Sequence, residues 1–475
     1  MQIRLSCFAA TLGLALAIGL TWTGDVRADV FLDQAFPASG HRRVPMDLEA
    51  VEITLTFDAV TKSAVGVARL SFLAPDDGRP WLRMTPEPTG VTLDGNPVEV
   101  VELETPAPGI FVRSLETTVA AGTHHVLEFT YALPRRVLRL GGGRIGFLTA
   151  MNDFPGGNYF EDYGPTGIEA DAYALTLVLV TQGAREIPRL FTNGQVEELA
   201  SDPPSWEVTF PAWYTASSFY VHLTDKRYHV VEDVVAGDEG PIPIVVYSKS
   251  ARRAEAAMAE LPGLFAELEG TYGPYVHDSF VALISGRGGM EHCGATITSI
   301  GALAHELTHS WFARGVLPAS GRDGWMDEAV ASWRDYGYER STPDPERAPT
   351  DMASRTVFDP FAIWNVYADG RALLAELDAM VAPMSGGMRE VLRDWFAQAK
   401  TRAVTTEEFL AFLETNTGLD LGAMFQRYVF GEYVAVPLPR TSGVGSGAAV
   451  VEVPSGDGAA GHPPALTARQ LRRLR

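Results

Sequence analysis

Between residues 47 and 224 apolar side chains recur at every second position, and after residue 240 they fall into helical spacing. A chain with that change of period builds sheet first and a mixed, helix-rich part second, which is an α+β organisation. Val51, Ile53, Leu55 and Phe57 share one strand face, and residues 65–72 repeat the pattern. Asp94, Gly95, Asn96 and Pro97 read as a turn, and short strands follow at 125–131, 173–180 and 219–223. Gly141, Gly142 and Gly143 read as a tight turn, since no Lys-Ser/Thr pair follows to make a phosphate loop. Further on, strands are expected at 242–247 and 279–285, with helices at 250–272, 371–380, 388–398 and 406–415.

The 475 residues suffice for two or three domains. Acidic side chains outnumber basic ones 59 to 38, a formal charge of −21, which argues against a basic phosphate-binding face, and no nucleic-acid partner is expected. Residues 1–28 read as a secretory signal: Arg4 supplies the charge, 7–20 the apolar run, and Val26-Arg27-Ala28 the cleavage point. No later stretch is long enough to span a bilayer, so stable membrane insertion after cleavage is not expected. Processing leaves Cys293 as the one cysteine, and the mature chain is expected in the periplasm or outside the cell. Residues 434–475, rich in Gly, Ala and Pro, are expected to be disordered.

The chemistry concentrates at His305-Glu306-Leu307-Thr308-His309. On a helix, positions i and i+4 share a face, so both imidazoles can reach one metal ion, with Glu306 placed to take a proton from a water. Two histidines on a solvated helix remain the plainer reading of that motif alone. Glu328 shifts the balance. It follows His309 after eighteen intervening residues, inside Trp325-Met326-Asp327-Glu328-Ala329. Gly315, Pro318, Gly321 and Gly324 supply the loop that lets a second helix return. A His, His, Glu set leaves one position of a zinc ion open, as hydrolytic sites do.

HExxH, eighteen residues and then Glu in a WxxE segment resembles the aminopeptidase N family, the gluzincins that include the leukotriene hydrolases. Gly288-Gly289-Met290-Glu291-His292 is similar to that family's G-x-M-E-N strand, and Tyr367-Ala368-Asp369-Gly370 to its Y-x-K-G helix start. The likeness runs from about Val44 to Tyr433. It implies an N-terminal β-sandwich or saddle-like domain (29–236), a thermolysin-like α/β catalytic domain (237–433), and one zinc ion on His305, His309 and Glu328. It implies that Glu306 is the general base, that Tyr367 hydrogen-bonds the developing oxyanion, and that Glu291 binds the free α-amine of a peptide. Gly288, Gly289 and Met290 would line the substrate strand. Tyr336 and Tyr338 compete with Tyr367 for its role. Asn152, Asp153, Glu161, Asp162 and Glu169 are all candidates for a second amine contact.

Three departures bear on the reading. His292 replaces the family's Asn, leaving open a further metal contact or a simple substitution on the cleft strand. Asp369 replaces its Lys, and the large C-terminal helical domain of the family is not expected here. Cys293 has no base at recognisable spacing and reads as a buried thiol. The expected activity is removal of N-terminal residues from peptides. A zinc endopeptidase, a narrow glycyl-type aminopeptidase and an inactive peptide-binding protein are the alternatives, and the oligomeric state is left open.

Overall fold

Inward-facing apolar positions and turn-forming pairs between them shape the first half of the chain. In the computed structural model, residues 31–105, 110–150, 159–286, 289–354 and 365–436 are described. The 1–28 segment, Asn152, Asp153, Gly288 and nearly all of 434–475 lie outside them. The alternating segments form β1 (Asp47–Asp58), β2 (Ser63–Leu73), β3 (Pro88–Leu93), β4 (His124–Ala132), β5 (Ala174–Gln182), β6 (Gln195–Leu199) and β7 (Ser205–Thr209). With Asn96–Pro97 they make an eight-stranded sheet in the order β6-β7-β5-β1-β2-β4-β3-Asn96–Pro97. Asp94 and Gly95 both take left-handed φ values, 52° and 76°, and close the two-residue hairpin expected there.

Val51, Ile53, Leu55 and Phe57 of β1, Leu70 and Phe72 of β2, and Leu127 and Phe129 of β4 point to one face. They meet Leu82 and Leu115 of a five-stranded sheet, Met84 just beyond its strand, and Phe147, Val221 and Leu223 of a three-stranded sheet. The layers enclose one apolar core, each large side chain contributing about 1.5–3 kcal/mol on burial. On the outer face Arg69 lies 3.7 Å from Glu52 and 3.6 Å from Glu128, exposed pairs of little energetic weight.

The second region opens with a hairpin. β8 (His229–Gly237) pairs with β9 (Gly240–Ser248), so this sheet starts at His229, ahead of the boundary expected at 237. From β9 the chain crosses through α1 (Ala251–Tyr272) to the parallel strand β10 (Phe280–Ile284), then to β11 (Glu291–His292) and β12 (Ala295–Thr298). The sheet order is β8-β9-β10-β12-β11. Among the described residues six α-helices follow: α2 (Leu303–Thr308), α3 (Trp325–Asp335), α4 (Arg371–Ser385), α5 (Met388–Ala399), α6 (Thr406–Thr417) and α7 (Gly422–Tyr428). Their apolar faces share a core with α1 and the sheet that includes Phe265, Phe280, Trp311, Trp325, Trp333 and Trp395. α6 starts with a capping box, Thr405 accepting from Glu408 N and Glu408 accepting from Thr405 N. Both regions belong to one compact unit ending at Pro437. Among the described residues no helix is long and apolar enough to cross a membrane.

Candidate active site

α2 is only six residues long and is held by Leu303 and Leu307, both fully buried. With those leucines in the core, His305 and His309 face the other way, their ring centroids 4.8 Å apart. The loop after α2 is fastened at three places. Leu317–Pro318 pairs with Ala403–Val404. Asp323 accepts hydrogen bonds from Ser320 Oγ at 2.7 Å and from Thr406 N at 2.8 Å. A β-carbon on Gly315 would stand 2.6 Å from Ser310 O, so the tight crossing there requires glycine. The loop delivers α3, whose first turn carries Asp327 and Glu328.

Glu328 Oε2 lies 3.1 Å from His305 Nε2 and 3.7 Å from His309 Nε2. One donor atom from each of these three residues falls within 4.8 Å of the others. The opposite ring nitrogens are engaged by carboxylates. Asp335 Oδ2 sits 2.7 Å from His305 Nδ1, and Asp327 contacts His309 Nδ1. Two imidazoles, each backed by a carboxylate and presenting Nε2 to a third carboxylate, form a donor set suited to zinc. His305, His309 and Glu328 therefore fit the ion implied by their spacing. Asp327 and Asp335 were not singled out in the sequence. The available signal was Asp335 seven residues beyond Glu328, two helical turns along the same face.

The charges follow from that packing. Burial would push the His305 imidazolium down, but Asp335 and Glu328 override it and hold the group up at about 9. His309 is raised in the same way by Asp327 against the cost of burial. Glu306 is buried, and burial pushes its carboxyl up to about 8, aided by Glu291 and opposed by His309. Gly289 lies against it: a β-carbon there would sit 1.5 Å from Glu306 Oε1.

Tyr367 lies in a π-helical turn, Val366–Gly370, that leads into α4. Its hydroxyl donates to Glu328 Oε1, and its ring runs parallel to that of His305 with centroids 6.2 Å apart. The turn is pressed onto α3, since a β-carbon on Gly370 would meet that of Ala329 at 2.6 Å. Burial first, then Glu328, raises the phenol, which remains a donor. Of the two rivals, Tyr336 is exposed beneath Arg371, and Tyr338 packs on Trp333 and Tyr272. Of these three tyrosines, Tyr367 is the one that the fold brings to the His305, His309 and Glu328 donor set.

Glu291 lies on β11, paired across from Thr296, while Met290 O accepts from Ile297 N and Thr296 Oγ1, each at 3.0 Å. Oxygen atoms of Glu291 and Glu306 and a ring nitrogen of His309 lie within 4.8 Å of one another. Arg314 Nη2 donates to Glu291 Oε1 at 2.9 Å. Of the candidates for a second amine contact, Asp162 pairs with Arg136 at 2.6 Å and Glu161 with Arg83 at 2.8 Å. Glu169 lies 3.7 Å from the same Arg83. His292 is buried against the Tyr220 ring and is not among the clustered donor atoms. Cys293 is buried too. Its thiol donates to Ser218 Oγ at 3.0 Å, and burial pushes it up to about 12, favouring the neutral thiol over the thiolate.

No family model and no curated protein matches the sequence. Solved structures do. The fold is similar to that of an M1 zinc metallopeptidase from Deinococcus radiodurans, at 16% identity and a TM-score of 0.60, over 83% of this chain and 96% of that one. Legionella pneumophila aminopeptidase A, in complex with aspartic acid, matches at 14% identity and 0.63, over 81% of this chain and 49% of that one. Yeast LTA4 hydrolase matches at 15% and 0.59, over 83% and 69%. The chain has the fold of the M1 zinc metallopeptidases.

Proposed function

We propose that the protein is a zinc-dependent aminopeptidase of the M1 type that removes residues from the N-terminus of peptides. The observation that carries this reading is the meeting of His305, His309 and Glu328 beside the buried acid Glu306 and the phenol of Tyr367. The three ligand residues would hold one zinc ion, which as a Lewis acid polarises a carbonyl and makes a water acidic near neutral pH. Glu306 is the residue placed to take the proton from the attacking water and to return it to the departing amine. Tyr367 donates a hydrogen bond where negative charge gathers on the carbonyl oxygen, from a partly buried phenol held beside the donor set. Glu291, on the edge of the sheet next to Glu306, receives the cationic α-amine. The backbone around Gly289 offers strand-like pairing to the peptide.

The signal-like segment 1–28 supports a periplasmic or secreted location, and a purified mature chain starting near Asp29 would test it. The activity is tested with an aminoacyl anilide and its N-acetyl form. Efficient cleavage of the free compound is expected, with only slow cleavage of the blocked one. Equal cleavage of both would favour an endopeptidase, and cleavage of neither by zinc-loaded protein would favour a binding protein of the same fold. Glu306→Gln should retain zinc and lose turnover by about 10²–10⁴-fold.

A further inference from the structure

We propose that Arg314 is a positioning residue for amine recognition: it anchors one oxygen of Glu291 and leaves the other to meet the α-amine of the substrate. This inference rests on the aminopeptidase reading above. Arg314 is fully buried in the loop after α2 and spans the two regions of the molecule. Nη2 donates to Glu291 Oε1 at 2.9 Å, and Nη1 donates to Ser217 Oγ at 2.8 Å, a residue of the sheet-rich region. The backbone before it is unusual. Ala313 holds φ at 92°, the left-handed region that a residue with a β-carbon seldom adopts, and Arg314 N donates to His309 O at 2.9 Å. The loop thus ties the backbone that carries the guanidinium to the end of the His305–His309 motif.

Glu291 has two possible employments. Its carboxylate belongs to a second group of close donor atoms, with Glu306 and His309, that shares His309 with the ligand set. Left unrestrained, it can turn toward His309 and compete for the metal. Held at Oε1 by Arg314, it stays beside the cleft, and a carboxylate has enough lone pairs to accept from Arg314 and from an ammonium together. A planar guanidinium bonded at both ends fixes direction as well as charge, which a lysine does less well.

The test compares kcat and KM for a free aminoacyl anilide and its N-acetyl form in wild type, R314K, R314M, E291Q and the E291Q/R314M double variant, with zinc content and melting temperature measured throughout. In R314M the preference for the free amine should fall at least tenfold, mainly through KM, with slow cleavage of the blocked compound unchanged. R314K should recover part of the preference. In the double variant R314M should add no further loss of preference to E291Q, because both act on one interaction. Equal losses on both substrates, or additive effects in the double variant, would overturn the role of Arg314 while leaving the aminopeptidase reading intact. A wild type that cleaves neither compound, or both equally, would remove that reading and this inference with it. If R314M does not fold, R314K and S217A carry the same comparison, and an unaltered preference in both overturns the proposal.

Discussion

Asp335 Oδ2 lies 2.7 Å from Nδ1 of His305, so the helix that supplies Glu328 also orients the first imidazole. Carboxylates in this position fix the tautomer and ring direction of a ligand histidine. Asp335→Asn should weaken zinc binding by about 10–100-fold while the fold is retained. Competition with a chelator of known affinity measures this, and an unchanged dissociation constant would remove Asp335 from the zinc site.

Zinc binding should release protons. In the metal-free protein carboxylates hold His305 up at about 9, so that ring is imidazolium at neutral pH, and Asp327 raises His309 as well. A ligand nitrogen must be bare. Affinity should therefore climb as the pH rises toward about 9, with roughly one to two protons released per ion near pH 7. Calorimetry in buffers of different ionisation enthalpy gives the count, and no buffer dependence would contradict the assignment.

Gly289→Ala should impair turnover more than stability. The new methyl would fall on Glu306 Oε1, at 1.5 Å, and the flexible carboxylate would move aside rather than the backbone. A loss of at least tenfold in kcat, with zinc retained and a melting temperature within a few degrees of wild type, is expected. Full activity would show that Glu306 need not occupy its present position.

Burial pushes His222, His277 and His292 down to about 3, whereas an unfolded imidazole titrates near 6.5. Below about pH 6.5 the unfolded chain takes up protons that the folded protein refuses. The contribution of these rings is thus complete above that pH and is lost as the pH falls, by about 1.4 kcal/mol per unit for each ring. Denaturant melts of zinc-loaded protein from pH 7.5 to 5 should show a shallower decline in His222→Gln than in wild type. Parallel profiles would mean that His222 titrates alike in both states.

Much of this was legible in local pattern. The i, i+4 histidines and the eighteen-residue interval to Glu328 survive intact as α2, a loop and α3, because helix geometry ties spacing to direction. The strands at 51–57 and 65–72 and the helices at 250–272 and 388–398 are found within a few residues of their expected bounds. What escaped were contacts between distant segments. Arg314 meets Ser217 across 97 positions, and β5 lies parallel to β1 although more than 100 residues separate them. No local period records such pairings. The start of the second sheet at His229 escaped for a related reason: β8 is defined by its partner β9 rather than by its own composition.

The π-helical turn at Val366–Gly370 amounts to one residue inserted into a helix, and an insertion changes phase. Each residue rotates a helix by about 100°. Deleting Ala368 would relax the turn to an ordinary helix while α4 kept its own packing. The residues ahead of the deletion would swing by a quarter turn or more, carrying the Tyr367 hydroxyl off Glu328. The placement of this phenol is thus exposed to a kind of change that point substitutions never sample: a single-codon deletion.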